Sequence, residues 1–152
     1  MRTPRSSQIE PGPCYNPGVD VFITPEARRE IDALRVFRPK PGAWGVIIGH
    51  KRGPRFIVEK VLPAGAPGTA PDEKALAELD GIWPGRIIGI VLVRPPAALK
   101  KALLGPAWFG RLVLQSTGPA RAPVLGSAVV GYERRFRFET LPFAPATKGD
   151  GP

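Results

Sequence analysis

The chain has 152 residues, 43% of them hydrophobic, with 18 glycines, 20 prolines and a formal charge of +9. That length fits one domain able to bury roughly 70% of the surface its unfolded chain would expose. His50 is the single histidine and Cys14 the single cysteine, which excludes an HExxH site, an internal disulfide and a cysteine metal cluster. No run reaches the roughly 20 apolar residues of a membrane span. Arg2 and Arg5 are followed by no apolar stretch, so the sequence reads as a soluble, cytoplasmic protein without a signal peptide. The positive balance suits an acidic surface, whether nucleic acid, anionic lipid or acidic protein.

Residues 1–18 are polar and rich in proline and glycine and read as a flexible N-terminal arm, with Cys14 as a bystander thiol. Val19 to Ile23 predicts a short strand. Thr24 before Pro25 is a helix N-cap followed by proline at the first helical position, and Glu26 suits the positive end of the dipole. Ala27, Ile31 and Leu34 then share one face of an amphipathic helix that ends before Pro39. After a turn at Pro39 to Gly42, Trp44 to Gly49 and Arg55 to Leu62 pair as a hairpin, with Gly45 marking a close backbone approach or a bulge. Glu59 reads as an edge charge and His50 as an exposed turn residue.

A Pro/Gly loop from Pro63 to Pro71 leads to a short helix, Asp72 to Leu79, terminated by Gly81. Trp83 reads equally as a core plug or as an interface anchor. Ile87 to Val93 is a near-continuous apolar run between Gly85 and Pro95-Pro96, the pattern of a central strand buried on both faces. Ala97 to Leu104 is helical, followed by strands at Arg111 to Gln115, Val124 to Val130 and Arg134 to Leu141. In the last, Arg135 and Arg137 alternate with Phe136 and Phe138, whose rings read as inward-facing. The order β-α-β-β-α-β-α-β-β-β predicts one α/β domain, α+β-like, with a mixed central sheet flanked by helices across residues 19–143 and a disordered tail at 144–152.

In open α/β sheets the C-terminal end of the central strand usually carries the chemistry. Here it offers Leu92, Val93 and Arg94, with no nucleophile, base or metal ligand. Four segments resemble the JAB/MPN domain family in order and spacing. Val21-Phe22-Ile23-Thr24-Pro25-Glu26-Ala27 resembles that family's first strand and helix start, and Gly45-Val46-Ile47-Ile48-Gly49 its Gly-x-Leu-x-Gly strand. Phe56 to Pro63 resembles the next strand. Ile88-Gly89-Ile90-Val91-Leu92-Val93-Arg94-Pro95 falls where active members carry Gly-x-x-His-x-His-Pro. The resemblance spans residues 19–141 and implies an MPN/cytidine-deaminase-like fold.

Active members of that family are zinc isopeptidases, using two histidines and an aspartate as ligands and an upstream glutamate as base. The resemblance puts Leu92 and Arg94 at the histidine positions, Val93 between them and Gly42 at the glutamate. Its downstream Ser-x-x-Asp is absent from Pro96 to Gly110. It therefore implies a metal-free, cofactor-free member without catalytic residues, a pseudoenzyme acting as a scaffold for itself, another MPN-type domain or a further protein. Arg94 reads first as the partner of Glu59 or Asp72, and otherwise as a helix C-cap or an anion contact.

A non-catalytic interaction domain, a dimer or part of a larger complex, would use Trp44, Trp83, Trp108 and Phe109 as interface residues and expose an apolar patch rimmed by arginine. The alternative is a basic nucleic-acid-binding module. Its anion contacts would be Arg94, Arg134, Arg135 and Arg137, together with Lys51-Arg52 and Lys100-Lys101. A third reading, an enzyme using Glu59 with Arg94 or His50, lacks a visible nucleophile–base pair or ligand set.

Overall fold

The computed structural model describes residues 18–37, 42–64, 69–119 and 121–144, and these form a single α/β domain. The elements run β1 (Asp20–Ile23), α1 (Pro25–Phe37), β2 (Ala43–Arg52), β3 (Arg55–Ala64), α2 (Glu73–Ile82), β4 (Ile87–Val93), α3 (Ala97–Ala102), β5 (Leu112–Thr117), β6 (Val124–Tyr132) and β7 (Phe136–Thr140). Their order matches the order predicted from the sequence. Residues 1–17 of the expected arm, Cys14 among them, residues 145–152 of the expected tail, and parts of the loops at 38–41 and 65–68 lie outside the described residues.

One seven-stranded mixed sheet holds the strands in the order β1-β3-β2-β4-β5-β6-β7. β4 runs antiparallel to β2 and parallel to β5, and every residue from Ile87 to Val93 is buried. Alternation divides its side chains between two cores. Val91 and Val93 join Ile31 and Leu34 of α1 on one face. Ile90 and Leu92 join Leu76 of α2, Leu99 of α3 and Trp108 on the other. A run that is apolar at both parities is what two covered faces demand.

The sheet also turns back on itself. Past β7, the Val21 N–H donates to the Pro142 carbonyl at 3.1 Å and the Ala144 N–H donates to the Val21 carbonyl at 2.7 Å. The stretch after the last strand is thus hydrogen-bonded to the first. The packed unit reaches Ala144, one residue beyond the predicted boundary.

Local departures from the sequence reading have physical causes. β3 starts at Arg55 as predicted and runs on to Ala64, and β2 runs past the predicted Gly49 through Arg52, because the far end of the hairpin has a solvated side that tolerates Lys51 and Arg52. Gly45 marks a close backbone approach, where a Cβ would lie 3.0 Å from the Leu62 carbonyl oxygen, and the β-bulge falls between Ile48 and Gly49, opposite Glu59. α2 runs through Gly81 to Ile82 and ends at Trp83, whose N–H donates to the Leu79 carbonyl. α3 stops at Ala102, and Pro106–Trp108 forms a 3-10 turn that the sequence reading left out. β7 begins at Phe136 rather than Arg134, since Arg134 takes a left-handed conformation (φ 69°) in the turn from β6.

Two contacts hold α1 and the sheet in place. At the bulge, the Val61 N–H donates to Glu30 Oε1 of α1 at 2.7 Å, and Lys60 Nζ lies 3.3 Å from Glu30 Oε2. A helix carboxylate therefore satisfies a backbone donor beside the irregular pairing. At Gly89 the β4 and β5 backbones approach so closely that a Cβ would lie 2.0 Å from the Leu112 carbonyl oxygen.

Both contacts make predictions. Gly89→Ala should lower stability by about 1–3 kcal/mol through overpacking, read as a lower urea midpoint at unchanged m-value. Glu30→Ala should cost about 1–3 kcal/mol by leaving the Val61 N–H unsatisfied, whereas Glu30→Gln, which keeps an acceptor, should retain most of the stability.

Candidate functional site

The two ends of the sheet differ in character. At one end, β2 begins, β4 and β5 finish, and Gly42, Trp44, Leu92, Val93 and Arg94 come together. Trp44 faces Leu92 across the β2–β4 ladder, and the Gly42 N–H donates to the Val93 carbonyl at 2.9 Å. Leu92 and Val93 have no exposed surface. Gly42 is buried with φ 87°, a left-handed backbone that a glutamate would adopt only at a cost. Apolar side chains thus fill the region between β4 and its covering helices.

Arg94 sits outside this packing. It is exposed and left-handed (φ 44°), with its N–H donating to the Ser116 carbonyl at 2.8 Å. Among the described residues its side chain has no ion-pair partner. The expected pairing fails because both carboxylates are engaged elsewhere. Asp72 caps α2 by accepting from the Ala75 N–H at 2.8 Å. Glu59 lies at the other end of β2, against Arg86 and 3.4 Å from His50 Nδ1. This also separates Glu59 from Arg94 as an acid–base pair. Among the described residues, no group of three or more His, Cys, Asp or Glu side chains is arranged to hold a metal ion.

The aromatic residues divide as well. Trp44 and Trp108 are only 6% and 2% exposed and belong to the core, which corrects their assignment as interface residues. Both are drawn in because their strand parity or turn faces the α2–α3 side, where large rings fill the space above β4 and β6. Trp83 is half-buried against the same core. Trp44 also forms one wall of a cleft of about 470 Å³ beneath α2, with Val46, Ala75, Leu79 and Ile82.

Phe109 behaves differently. It is 56% exposed and lies at the opposite end of the sheet, where β5 starts and β6 finishes. Its ring stands edge-on to Phe136 with centroids 6.4 Å apart, and Tyr132 meets Phe136 edge-on at 4.9 Å. With Pro106 these rings line a shallow apolar depression of about 320 Å³. Tyr132 is 55% exposed, and Arg134 and Arg135 are exposed in the adjoining turn. The sequence reading named Phe109 and missed Tyr132. It placed Phe136 inward, and that is half right: the ring is partly buried on the α2–α3 core while its edge meets the exposed cluster.

The four arginines grouped as anion contacts do not converge. Arg94 is at the β4 exit, while Arg134, Arg135 and Arg137 are at the far end. Arg137 is engaged by Glu133, with Nη2 donating to Oε1 at 2.6 Å. Its buried Nε has no hydrogen-bond partner and stands 3.9 Å from Glu139 Oε2. Lys51 lies over the Phe56 ring at 5.1 Å. Arg111 is a structural clamp that joins both oxygens of Asp80 on α2 to the Ile87 carbonyl at the start of β4. No helix among the described residues is long and apolar enough to cross a membrane.

The fold has a counterpart among solved structures. The solution structure of a structural-genomics target protein from Desulfitobacterium hafniense is similar, with a TM-score of 0.56 and 21% identity, over 85% of this chain and 96% of that one. At that identity the likeness concerns the fold alone. No protein-family model matches the sequence, and no curated protein matches it.

Arg94 tests whether the β4 exit keeps a structural ion pair. Arg94→Gly should leave stability unchanged or raise it by up to about 1 kcal/mol, by removing the left-handed strain of a non-glycine residue. Thermal denaturation checks this, and a drop of several degrees would mean that the side chain supports the fold.

Proposed function

We propose that this chain is a degenerate JAB/MPN-like domain that works as a non-catalytic protein-docking module. The carrying observation is the contrast between the two ends of the sheet. Where the resemblance expects a zinc-bound water, Leu92 and Val93 are packed without solvent and Gly42 has no side chain to serve as a base. At the far end, Phe109, Tyr132 and Phe136 leave apolar surface open beside Arg134 and Arg135. The juxtaposition of positions 42 and 92–94 supports the resemblance, since a catalytic ancestor would need those positions side by side.

The exposed end has the makings of a docking surface. Rigid rings bury large apolar area at low entropic cost, and aromatic and arginine side chains dominate interface energetics. Arginines at the rim favour a partner with acidic residues around an apolar anchor. A stable complex needs roughly 1,000 Å² or more of total buried surface, so the cluster acts as the centre of a larger footprint.

The test is capture of the full-length tagged protein from nuclease-treated native lysate, compared with a Phe109→Ser/Tyr132→Ser variant. A protein retained in fixed stoichiometry by the wild type and lost by the variant is the expected result. Material that disappears on nuclease treatment, with no protein retained, would transfer the function to nucleic-acid binding. Uptake of one zinc per chain in equilibrium dialysis would defeat the metal-free reading.

A further inference from the structure

β7 lies at one side of the sheet and, among the described strands, pairs with β6 alone. Backbone polarity along it follows from its neighbours. Val130 exchanges hydrogen bonds with Gly110 and Arg111 on the β5 side, so Val129 and Gly131 face β7 and pair with Glu139 and Arg137. The N–H and C=O groups of Phe136, Phe138 and Thr140 therefore point outward. Further along, the outward groups of Pro142 and Ala144 are taken by Val21. Among the described residues, those of Phe136, Phe138 and Thr140 are taken by nothing.

An unpaired edge is a template for another strand, and the side chains decide which strand fits. Arg137 and Glu139 flank Phe138 on the same face, one positive and one negative. If two copies of β7 pair antiparallel about a two-fold axis at Phe138, Arg137 falls directly opposite the partner subunit's Glu139, and Glu139 opposite the partner subunit's Arg137. Both cross-strand pairs attract. Any parallel or one-residue-shifted arrangement loses this match. The edge carries no proline, no bulge and no lysine from Phe136 to Thr140, and its charges are the complementary pair Arg137 and Glu139.

We infer that the β7 edge pairs with the β7 edge of a second copy of this chain, antiparallel about Phe138, to join two sheets into one. The inference rests on the docking reading and deepens it by naming the first occupant of that end of the molecule. Phe138 would exchange both backbone hydrogen bonds with its symmetry mate, and Phe136 would do the same across from the partner subunit's Thr140. The aromatic cluster lies beside this seam through Phe136 and remains the surface for a different protein.

Analytical ultracentrifugation of the full chain tests the pairing through charge reversal. The wild type should sediment as a dimer. Arg137→Glu and Glu139→Arg should each weaken self-association by about tenfold or more, because each sets like charges opposite one another at both positions. Mixing the two variants should restore a heterodimer, an outcome that no role of either residue within one chain would produce. Thr140→Pro removes an outward donor at an exposed position that β6 does not use, so it should also give a folded monomer. A wild-type monomer overturns the inference, as does a variant mixture that fails to associate. If that monomer still captures its partner through Phe109 and Tyr132, the docking reading stands and only the β7 pairing falls.

Discussion

The structure depends on the burial of β4 on both faces. Seven consecutive buried residues require a helix layer on each side, and those layers are α1 on one and α2 with α3 on the other. The remaining elements secure this arrangement. Glu30 ties α1 to the bulged edge of β3, and Arg111 ties α2 to the first residue of β4. Gly89 lets β5 approach β4 more closely than any residue with a side chain would permit. Each contact is modest alone, but all serve to exclude water from the same strand.

That constraint bears directly on chemistry. A catalytic metal centre at the exit of β4 would need polar ligands and an open coordination position reached by water. Leucine and valine at positions 92 and 93 instead continue the core to the end of the strand, and the first exposed side chain, Arg94, already lies on the outside. Apolar packing at this point avoids the cost of burying a polar cluster. The exposed rings of Phe109 and Tyr132 lie at the opposite end of the sheet.

Much of the architecture was legible because hydrophobic periodicity reports burial directly. The two-parity run in β4, the face of α1 marked by Ala27, Ile31 and Leu34, and the Thr24-Pro25 start of that helix each carry their structural meaning in a few adjacent residues. Boundaries failed where tertiary contacts override local preference. Gly81 did not stop α2, because Trp83 and the Arg111–Asp80 clamp hold the helix end against the sheet. Arg134 and Arg135 looked like strand residues by alternation, yet the β6–β7 turn consumes them.

The sequence by itself determined the element order, the mixed sheet with helices on both faces, and the apolar run that β4 buries on both sides. These follow from composition and from contacts a few residues apart. Tertiary structure alone decided which aromatic residues were core and which were surface, since Trp44, Trp108 and Phe109 have similar local sequence surroundings but different sheet positions. It also decided that Arg94 and the arginines of the β6–β7 turn stand at opposite ends, and that Glu59 belongs to His50 and Arg86. Strand order and register set those distances, and they arise from pairings between segments tens of residues apart that no local pattern encodes.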